Sequence, residues 1–267
     1  YTVTHDGSLT GRLGIRNWTT EAPASGTLTI CNKDHGIWDV RGSVSFHAGM
    51  SPTITGTGAH LDLAFANEPT TLRTNGANLP WLVVCGSNIY GPTPNAAVTL
   101  LDNLLATAGE GALVMRNGLF DANGFDVTVS AVYCNNRVYY DINEEPIGWE
   151  YGEVRLGTGT WTMTNGGWSY LAPSLMTITL PANPLDSVVR LTNNLATDVA
   201  FGSTVAGFSK TFGVLEVAST GAGATIINGN HAFADLRITG TARTVKVQAG
   251  KTITFAEFNG SGSAGSL

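Results

Sequence analysis

The sequence contains little charge. Lys, Arg, Asp and Glu together make up 13% of its 267 residues, about half of the usual share. The net charge is −6, and no basic block occurs along the chain. Without clustered cations, a chain gains no counterion release from nucleic acid and no attraction to an anionic membrane surface. We therefore expect no nucleic-acid partner.

Cysteine and long apolar runs are also scarce. The chain has three cysteines, Cys31, Cys85 and Cys134, and no C-x-x-C pair. This spacing favours small buried thiols in a reducing compartment over a disulfide framework or a metal site. No apolar run approaches the roughly 20 residues that a membrane-spanning helix needs, so we expect no membrane insertion.

Small, neutral polar residues are abundant instead. Gly accounts for 33 residues, and 43% of the chain is hydrophobic, enough for a sizeable core. The apolar residues alternate with polar ones, as where Trp161 and Met163 are interleaved with threonines. This period of two predicts β-strands with one buried face. Residues 99–106 form the one segment in which we expect a helical turn.

A repeat near the end of the sequence indicates how the strands are arranged. An aromatic residue and an apolar residue three positions later recur at intervals of 21 and 22 residues. The three pairs are Phe212 with Leu215, Phe233 with Leu236, and Phe255 with Phe258. A unit of this length that holds short strands is one coil of a β-solenoid. We therefore predict an all-β chain folded as a right-handed parallel β-helix, in which these residues stack in ladders; a β-sandwich with accidental spacing is the alternative.

The predicted β-helix covers residues 51–267, and residues 1–50 are less regular. A solenoid needs a non-repeating end to protect its open edge, so we interpret residues 1–50 as an N-terminal capping or docking section. Because the sequence begins at Tyr1, we expect a processed or trimmed chain. A Gly/Ser-rich turn leads up to Leu267, and we expect the β-helix to continue beyond it.

Four segments in the predicted β-helix carry a resemblance to a known family. They are residues 71–80 (TLRTNGANLP), 118–124 (GLFDANG), 156–164 (LGTGTWTMT) and 243–255 (RTVKVQAGKTITF). In this order, they resemble the repetitive β-helical virion and tail structural proteins of tailed bacteriophages. The resemblance implies a homotrimer on the virion exterior, in the tail, that is assembled in the host cytoplasm and contacts other virion proteins. It transfers no catalytic residue.

The segment from Cys134 to Gly152 departs from that family and combines four aromatic residues with four carboxylates. Aromatic rings can cover the face of a sugar ring, and carboxylates can accept its hydroxyl protons. The candidate residues for binding a glycan or a partner protein are Tyr139, Tyr140, Glu144, Glu145, Trp149, Glu150 and Tyr151. The same segment could instead contact an adjacent subunit or pack on a neighbouring coil.

The function that we expect is that of a structural subunit of a phage virion, such as a tail fibre, a spike or another external appendage, which presents a rigid surface to host glycans. The five histidines have no metal-ligand spacing, so we expect no metal and no cofactor. Two alternatives stay open: a tailspike polysaccharide depolymerase and a bacterial surface adhesin. A depolymerase would need two carboxyl groups roughly 5–10 Å apart. Neighbouring acids in the sequence are Glu144 with Glu145, Glu150 with Glu153, and Asp121 with Asp126.

Overall fold

The computed structural model describes residues 2–5, 12–21, 29–33, 36–55, 57–63, 68–86, 96–109, 111–135, 138–140, 146–149, 152–170, 176–240 and 244–260. These residues form 29 β-strands and one 3-10 turn, Pro184–Asp186. Among them is no helix with the length and apolar character that crossing a membrane requires. The described part of the chain is therefore all-β, as predicted.

The described strands are numbered in chain order. Four sheets, named A to D, contain all of them except β17 and β18, which pair with each other. Sheet A holds β1 (Thr2–His5), β4 (Thr29–Lys33) and β7 (Ser51–Thr55). Sheet B holds β2 (Arg12–Ile15), β5 (Ile37–Val40), β8 (His60–Leu63), β10 (Leu82–Cys85), β13 (Leu113–Met115), β16 (Val132–Cys134), β21 (Trp168–Tyr170), β24 (Val199–Gly202), β26 (Thr225–Asn228) and β28 (Val245–Val247). Sheet C holds β3 (Trp18–Thr19), β6 (Val44–Ser45), β9 (Thr70–Arg73), β11 (Ala97–Leu100), β14 (Gly118–Asp121), β19 (Gly152–Arg155) and β22 (Thr177–Thr179). Sheet D holds β12 (Leu104–Ala106), β15 (Val127–Val129), β20 (Thr160–Met163), β23 (Val188–Leu191), β25 (Ser209–Val217), β27 (Asn230–Ile238) and β29 (Ile253–Gly260).

The chain visits these sheets in turn and then returns to the first. Strands β10, β11 and β12 lie in sheets B, C and D, and β13, β14 and β15 repeat that order one coil further on. Strands of successive coils pair in parallel within each sheet. This path is that of a parallel β-helix, which confirms the predicted fold class. The β-sandwich alternative is wrong, because its sheets would be antiparallel.

The predicted aromatic ladder is present in sheet D. Phe212 pairs with Phe233, and Phe233 pairs with Phe255. The 21- and 22-residue spacing therefore corresponds to one coil each. Earlier coils are less regular: Val132 of β16 pairs with Trp168 of β21, 36 residues later. This coil is longer because a hairpin is inserted between β16 and β19.

The interior of the β-helix is lined by the inward residues of the alternating pattern. Trp161 and Met163 are fully buried, and the threonines beside them are partly exposed. The Trp161 ring lies 5.6 Å from Phe120 and 5.3 Å from Trp168, measured between centroids. Its indole Nε1 donates to the carbonyl oxygen of Leu156 at 3.0 Å. The buried tryptophan is thus both packed and hydrogen-bonded.

The helical turn predicted for residues 99–106 is wrong. Strand β11 ends at Leu100, and β12 begins at Leu104. Leu100 and Leu104 are both buried, and the chain changes from sheet C to sheet D between them. The corner separates these two inward leucines by four residues, and that spacing imitates a helical period.

Parallel pairing begins well before residue 50. Strands β2 and β5 belong to sheet B, and β3 and β6 belong to sheet C. Trp18 of β3 lies 4.6 Å from Trp38 of β5 between ring centroids, so these early strands enclose an aromatic interior. The capping or docking role of residues 1–50 stays a prediction.

Candidate functional site

The predicted binding segment contains an antiparallel hairpin between sheets B and C. Its strands are β17 (Val138–Tyr140) and β18 (Pro146–Trp149). Val138 pairs with Trp149, and Tyr139 pairs with Gly148. Tyr139, Tyr140 and Trp149 are therefore brought together on one small sheet. Glu144, Glu145, Glu150 and Tyr151 lie outside the described residues, and the binding role of all seven stays a prediction.

A second candidate site is a groove at the corner where the chain passes from sheet C to sheet D. Its volume is about 470 Å³. We call it the corner groove, and its lining residues are Ala48, Asn75, Gly76, Asp102, Asn103, Leu104, Leu105, Asp126 and Thr128. Amide, hydroxyl and carboxylate groups of this kind form hydrogen bonds with sugar hydroxyls.

The two carboxylates of the corner groove join neighbouring coils. Asp102 accepts hydrogen bonds from the backbone N–H groups of Thr74, at 2.8 Å, and Asn75, in the preceding coil. Asp126 accepts one from the backbone N–H of Thr160 in the following coil at 2.7 Å. Since carboxylates that accept backbone hydrogen bonds are held in fixed positions, this corner presents a rigid polar surface.

Sequence reasoning did not identify this groove, although a signal for it was present. Asn75 and Asn123 each precede a glycine, and both have a positive φ, 49° and 53°. Asn-Gly pairs adopt this left-handed conformation readily, which makes tight turns. The side-chain amide of Asn123 donates to the Leu100 carbonyl oxygen of the previous coil at 3.1 Å. Two Asn-Gly pairs, at 75–76 and 123–124, therefore lie at this corner, within two of the segments that carry the family resemblance.

The neighbouring acids Asp121 and Asp126 make different contacts. Asp121 lies on the outer face of sheet C, where its Oδ2 is 3.6 Å from the guanidinium of Arg155. The Nε of Arg155 also donates to Glu153 at 2.8 Å. Thr179 of the next coil donates its hydroxyl to the same carboxylate at 2.9 Å. The hydrogen bond from Arg155 lowers the pKa of Glu153 below its ordinary value.

This pKa shift predicts a pH-dependent contribution to stability. The folded pKa of Glu153 lies below the unfolded value, so its contribution is present above the unfolded pKa and is lost as the pH falls through the folded one. Because 34% of this side chain is exposed, we expect Glu153→Gln to cost less than about 1 kcal/mol at neutral pH. Urea unfolding at neutral and acidic pH would measure the difference, which should vanish in acid. A pH-independent Glu153→Gln effect would contradict the argument.

Two of the three cysteines are buried free thiols. Both Cys85 and Cys134 are buried, as predicted. Burial raises the pKa of Cys134 to about 12 and also raises the pKa of Cys85, which lies near the Asp62 carboxylate. Neither thiol is therefore activated as a nucleophile.

The described His, Cys, Asp and Glu side chains form no group of three that could hold a metal ion. Fold and surface together define a parallel β-solenoid protein with a polar corner groove and an inserted hairpin. Comparison with protein families, with curated proteins and with solved structures finds no match to this chain.

Proposed function

We propose that the chain is a structural subunit of an external appendage of a tailed bacteriophage, a tail fibre or spike, that holds a rigid exposed surface. The observation that carries this proposal is the continuity of sheet B, which joins ten strands in parallel from β2 to β28. At about 4.8 Å per strand, ten strands extend roughly 45 Å along the axis. Each coil is hydrogen-bonded to the next, so the unit resists bending.

The polar outer face of sheet D supports the proposed location of the chain on the outside of the particle. One outward row contains Thr162, Arg190, Glu216, Arg237 and Asn259, each in register with the next. Arg190 and Glu216 form an ion pair at 2.8 Å. Alternating charges and polar groups keep a broad sheet face in water and discourage sideways aggregation.

Recognition of a host glycan is assigned to the hairpin of β17 and β18. Loops on rigid scaffolds often carry binding residues. This hairpin is held at both ends by the β-helix, since β16 precedes it in sheet B and β19 follows it in sheet C. Its aromatic residues Tyr139, Tyr140 and Trp149 suit the apolar faces of sugar rings.

Binding of the purified chain to surface polysaccharide from host bacteria tests the recognition role. We expect Trp149→Ala to weaken binding at least about 5-fold, because a stacked ring contributes roughly 1 kcal/mol or more. Trp149→Phe, which keeps an aromatic ring, is the matched control and should retain most of the affinity. If the unmodified chain and both variants bound equally well, the hairpin would not be part of the recognition surface.

The virion role has its own test. Antibodies raised against the chain should label the outside of intact particles of the phage or prophage that encodes it, and tracing the chain by cryo-electron microscopy should locate it in an appendage. Particles that contain no copy of the chain would overturn the proposal.

Polysaccharide cleavage is a second candidate function, favoured by the corner groove. Asp102 and Asp126 come from neighbouring coils and line the same groove, and glycosidases use paired carboxylates. If the chain releases reducing ends from the polysaccharide and Asp126→Asn abolishes that release, the cleavage function is supported. If the chain binds the polysaccharide but releases no reducing ends, cleavage is excluded and the structural function alone is retained.

A further inference from the structure

Strand pairing is sparse at one junction between coils. The coil of β21, β22 and β23 is followed there by the coil of β24 and β25. Sheet D crosses this junction with four register pairs between β23 and β25, but sheet B crosses it with one, Ser169 with Gly202. In the described part of the chain, sheet C ends at β22. We call this junction the coil joint.

Side chains replace the missing ladder at the coil joint. Residues 209–212, the first part of β25, pair with β27 of the following coil and with no described strand of the preceding one. The ammonium of Lys210 donates instead to the carbonyl oxygen of Met176, just before β22. The ring of Phe208 lies 4.5 Å from that of Tyr170 in β21, measured between centroids. These two contacts hold the segment against the preceding coil.

His231 of β27 lies next to this segment, as the ladder partner of Lys210, and is 3% exposed. Four phenyl rings enclose the imidazole, with centroids 5.5 to 5.9 Å away: Phe201, Phe208, Phe212 and Phe233. Residues that follow β29 could only add to this burial. A positive charge on the imidazole would therefore be removed from water, which is costly unless an anion compensates it.

Both ring nitrogens of His231 face backbone carbonyl oxygens. Nε2 lies 2.8 Å from the oxygen of Asn228, and Nδ1 lies 3.3 Å from the oxygen of Lys210. A neutral imidazole has one N–H, and the shorter contact assigns it to Nε2. Nδ1 then turns a lone pair towards the Lys210 carbonyl. A second proton would complete this hydrogen bond, but it would also create a buried cation next to a lysine.

No described carboxylate acts on His231 or Lys210. Burial lowers the pKa of His231, the two carbonyl contacts raise it in part, and Lys210 lowers it again. Strands β24 and β26 carry no titratable side chain, and burial raises the pKa of Tyr170 and of Cys134, which therefore stay neutral. Lys251, in the turn before β29, is another cation. The other charges of β25, β27 and β29 lie in the parts that run through sheet D: Glu216, Asp235, Arg237 and Glu257.

We infer that His231 makes the coil joint acid-sensitive: the neutral imidazole holds residues 208–212 against the preceding coil, and its protonation releases them. By leaving the phenyl cage, the imidazolium regains water and moves away from Lys210. Its packing on Phe208 is lost at the same time, and with it the support of the contact to Tyr170. Sheet D stays paired across the joint, so the β-helix opens on the side of sheets B and C.

The direction of the pH effect follows from proton linkage. The unfolded chain takes up the histidine proton near pH 6.5, the ordinary value, and the folded chain takes it up only at lower pH. The stability that the neutral ring contributes is therefore fully present above about pH 6.5, and it is lost as the pH falls through the folded pKa. Acid opens the joint, and neutral pH closes it.

Nuclear magnetic resonance titration of the histidine rings tests the protonation step. The chain has five histidines, and the signal that is missing from His231→Gln identifies residue 231. Its midpoint should lie below about pH 6.5. Lys210→Met should raise this midpoint, because it removes the neighbouring cation and keeps an unbranched side chain. A midpoint at or above the ordinary value, or one that Lys210→Met leaves unchanged, would overturn the inference.

Hydrogen exchange measured by mass spectrometry tests the release. The unmodified chain and His231→Gln are compared at each pH, so that the pH dependence of exchange itself cancels. Between about pH 7.5 and about pH 4.5, exchange in residues 208–212 should accelerate at least about 3-fold more in the unmodified chain. Peptides from β13 to β15 are the internal control and should exchange alike in both proteins.

Circular dichroism shows whether each variant folds, and Lys210→Met provides a second comparison if His231→Gln does not. That variant should reduce the acid acceleration, because its imidazolium has no cation beside it. Equal exchange of residues 208–212 in all folded proteins at acidic pH would show that His231 does not control the joint. An acceleration spread evenly over distant coils would contradict a local opening.

Discussion

Replacing Trp161 with alanine is expected to lower the free energy of unfolding by about 3–5 kcal/mol. The indole is fully buried between the rings of Phe120 and Trp168. Alanine would leave a cavity that the rigid coils above and below can fill only in part, and it would remove the hydrogen bond to the Leu156 carbonyl. Urea unfolding followed by circular dichroism would measure the change.

The neighbouring residue provides the control for this prediction. Thr162 faces outward on the same strand and is partly exposed, so Thr162→Ala should change stability by less than about 0.5 kcal/mol. Comparable losses for Thr162→Ala and Trp161→Ala would mean that β20 does not bury one face and expose the other. The alternating pattern from which the strand was predicted would then have no energetic basis.

The ladder that contains Phe212, Phe233 and Phe255 shows what the sequence can predict. Its coils have nearly equal lengths, so a spacing visible in the sequence becomes a register in space. The coil from Val132 to Trp168 could not be predicted in this way. An inserted hairpin changes the length of a coil without disturbing the strands on either side, and it therefore hides the repeat.

The candidate sites divide in a similar way. The aromatic and acidic composition of the hairpin is local, and the sequence reveals it directly. The corner groove depends on contacts such as that between Thr74 and Asp102, which are 28 residues apart. Such contacts follow only once the register of every intervening strand is known. Asn-Gly pairs indicate that turns exist, but they do not indicate which carboxylate will cross to them.

Close packing between coils predicts the second large effect, at Gly167. A Cβ atom added there would lie 1.9 Å from the carbonyl oxygen of Ala200 in the next coil. That oxygen belongs to the backbone of β24 and cannot rotate away as a side chain would. We expect Gly167→Ala to cost about 3 kcal/mol by forcing two coils apart, measured as a shift of the urea midpoint.

Gly14 is the matched control, because it distinguishes lack of space from loss of glycine flexibility. Neither Gly14 nor Gly167 has a positive φ, so alanine can adopt both backbone conformations. A Cβ atom at Gly14 would meet nothing within 4 Å, and Gly14→Ala should be neutral or stabilise by up to about 1 kcal/mol. If both variants lost equal stability, the cost would lie in glycine's own backbone rather than in contact between coils. If neither did, β21 and β24 would be farther apart than parallel pairing requires, and the rigidity that the proposed structural role requires would be lost at that coil.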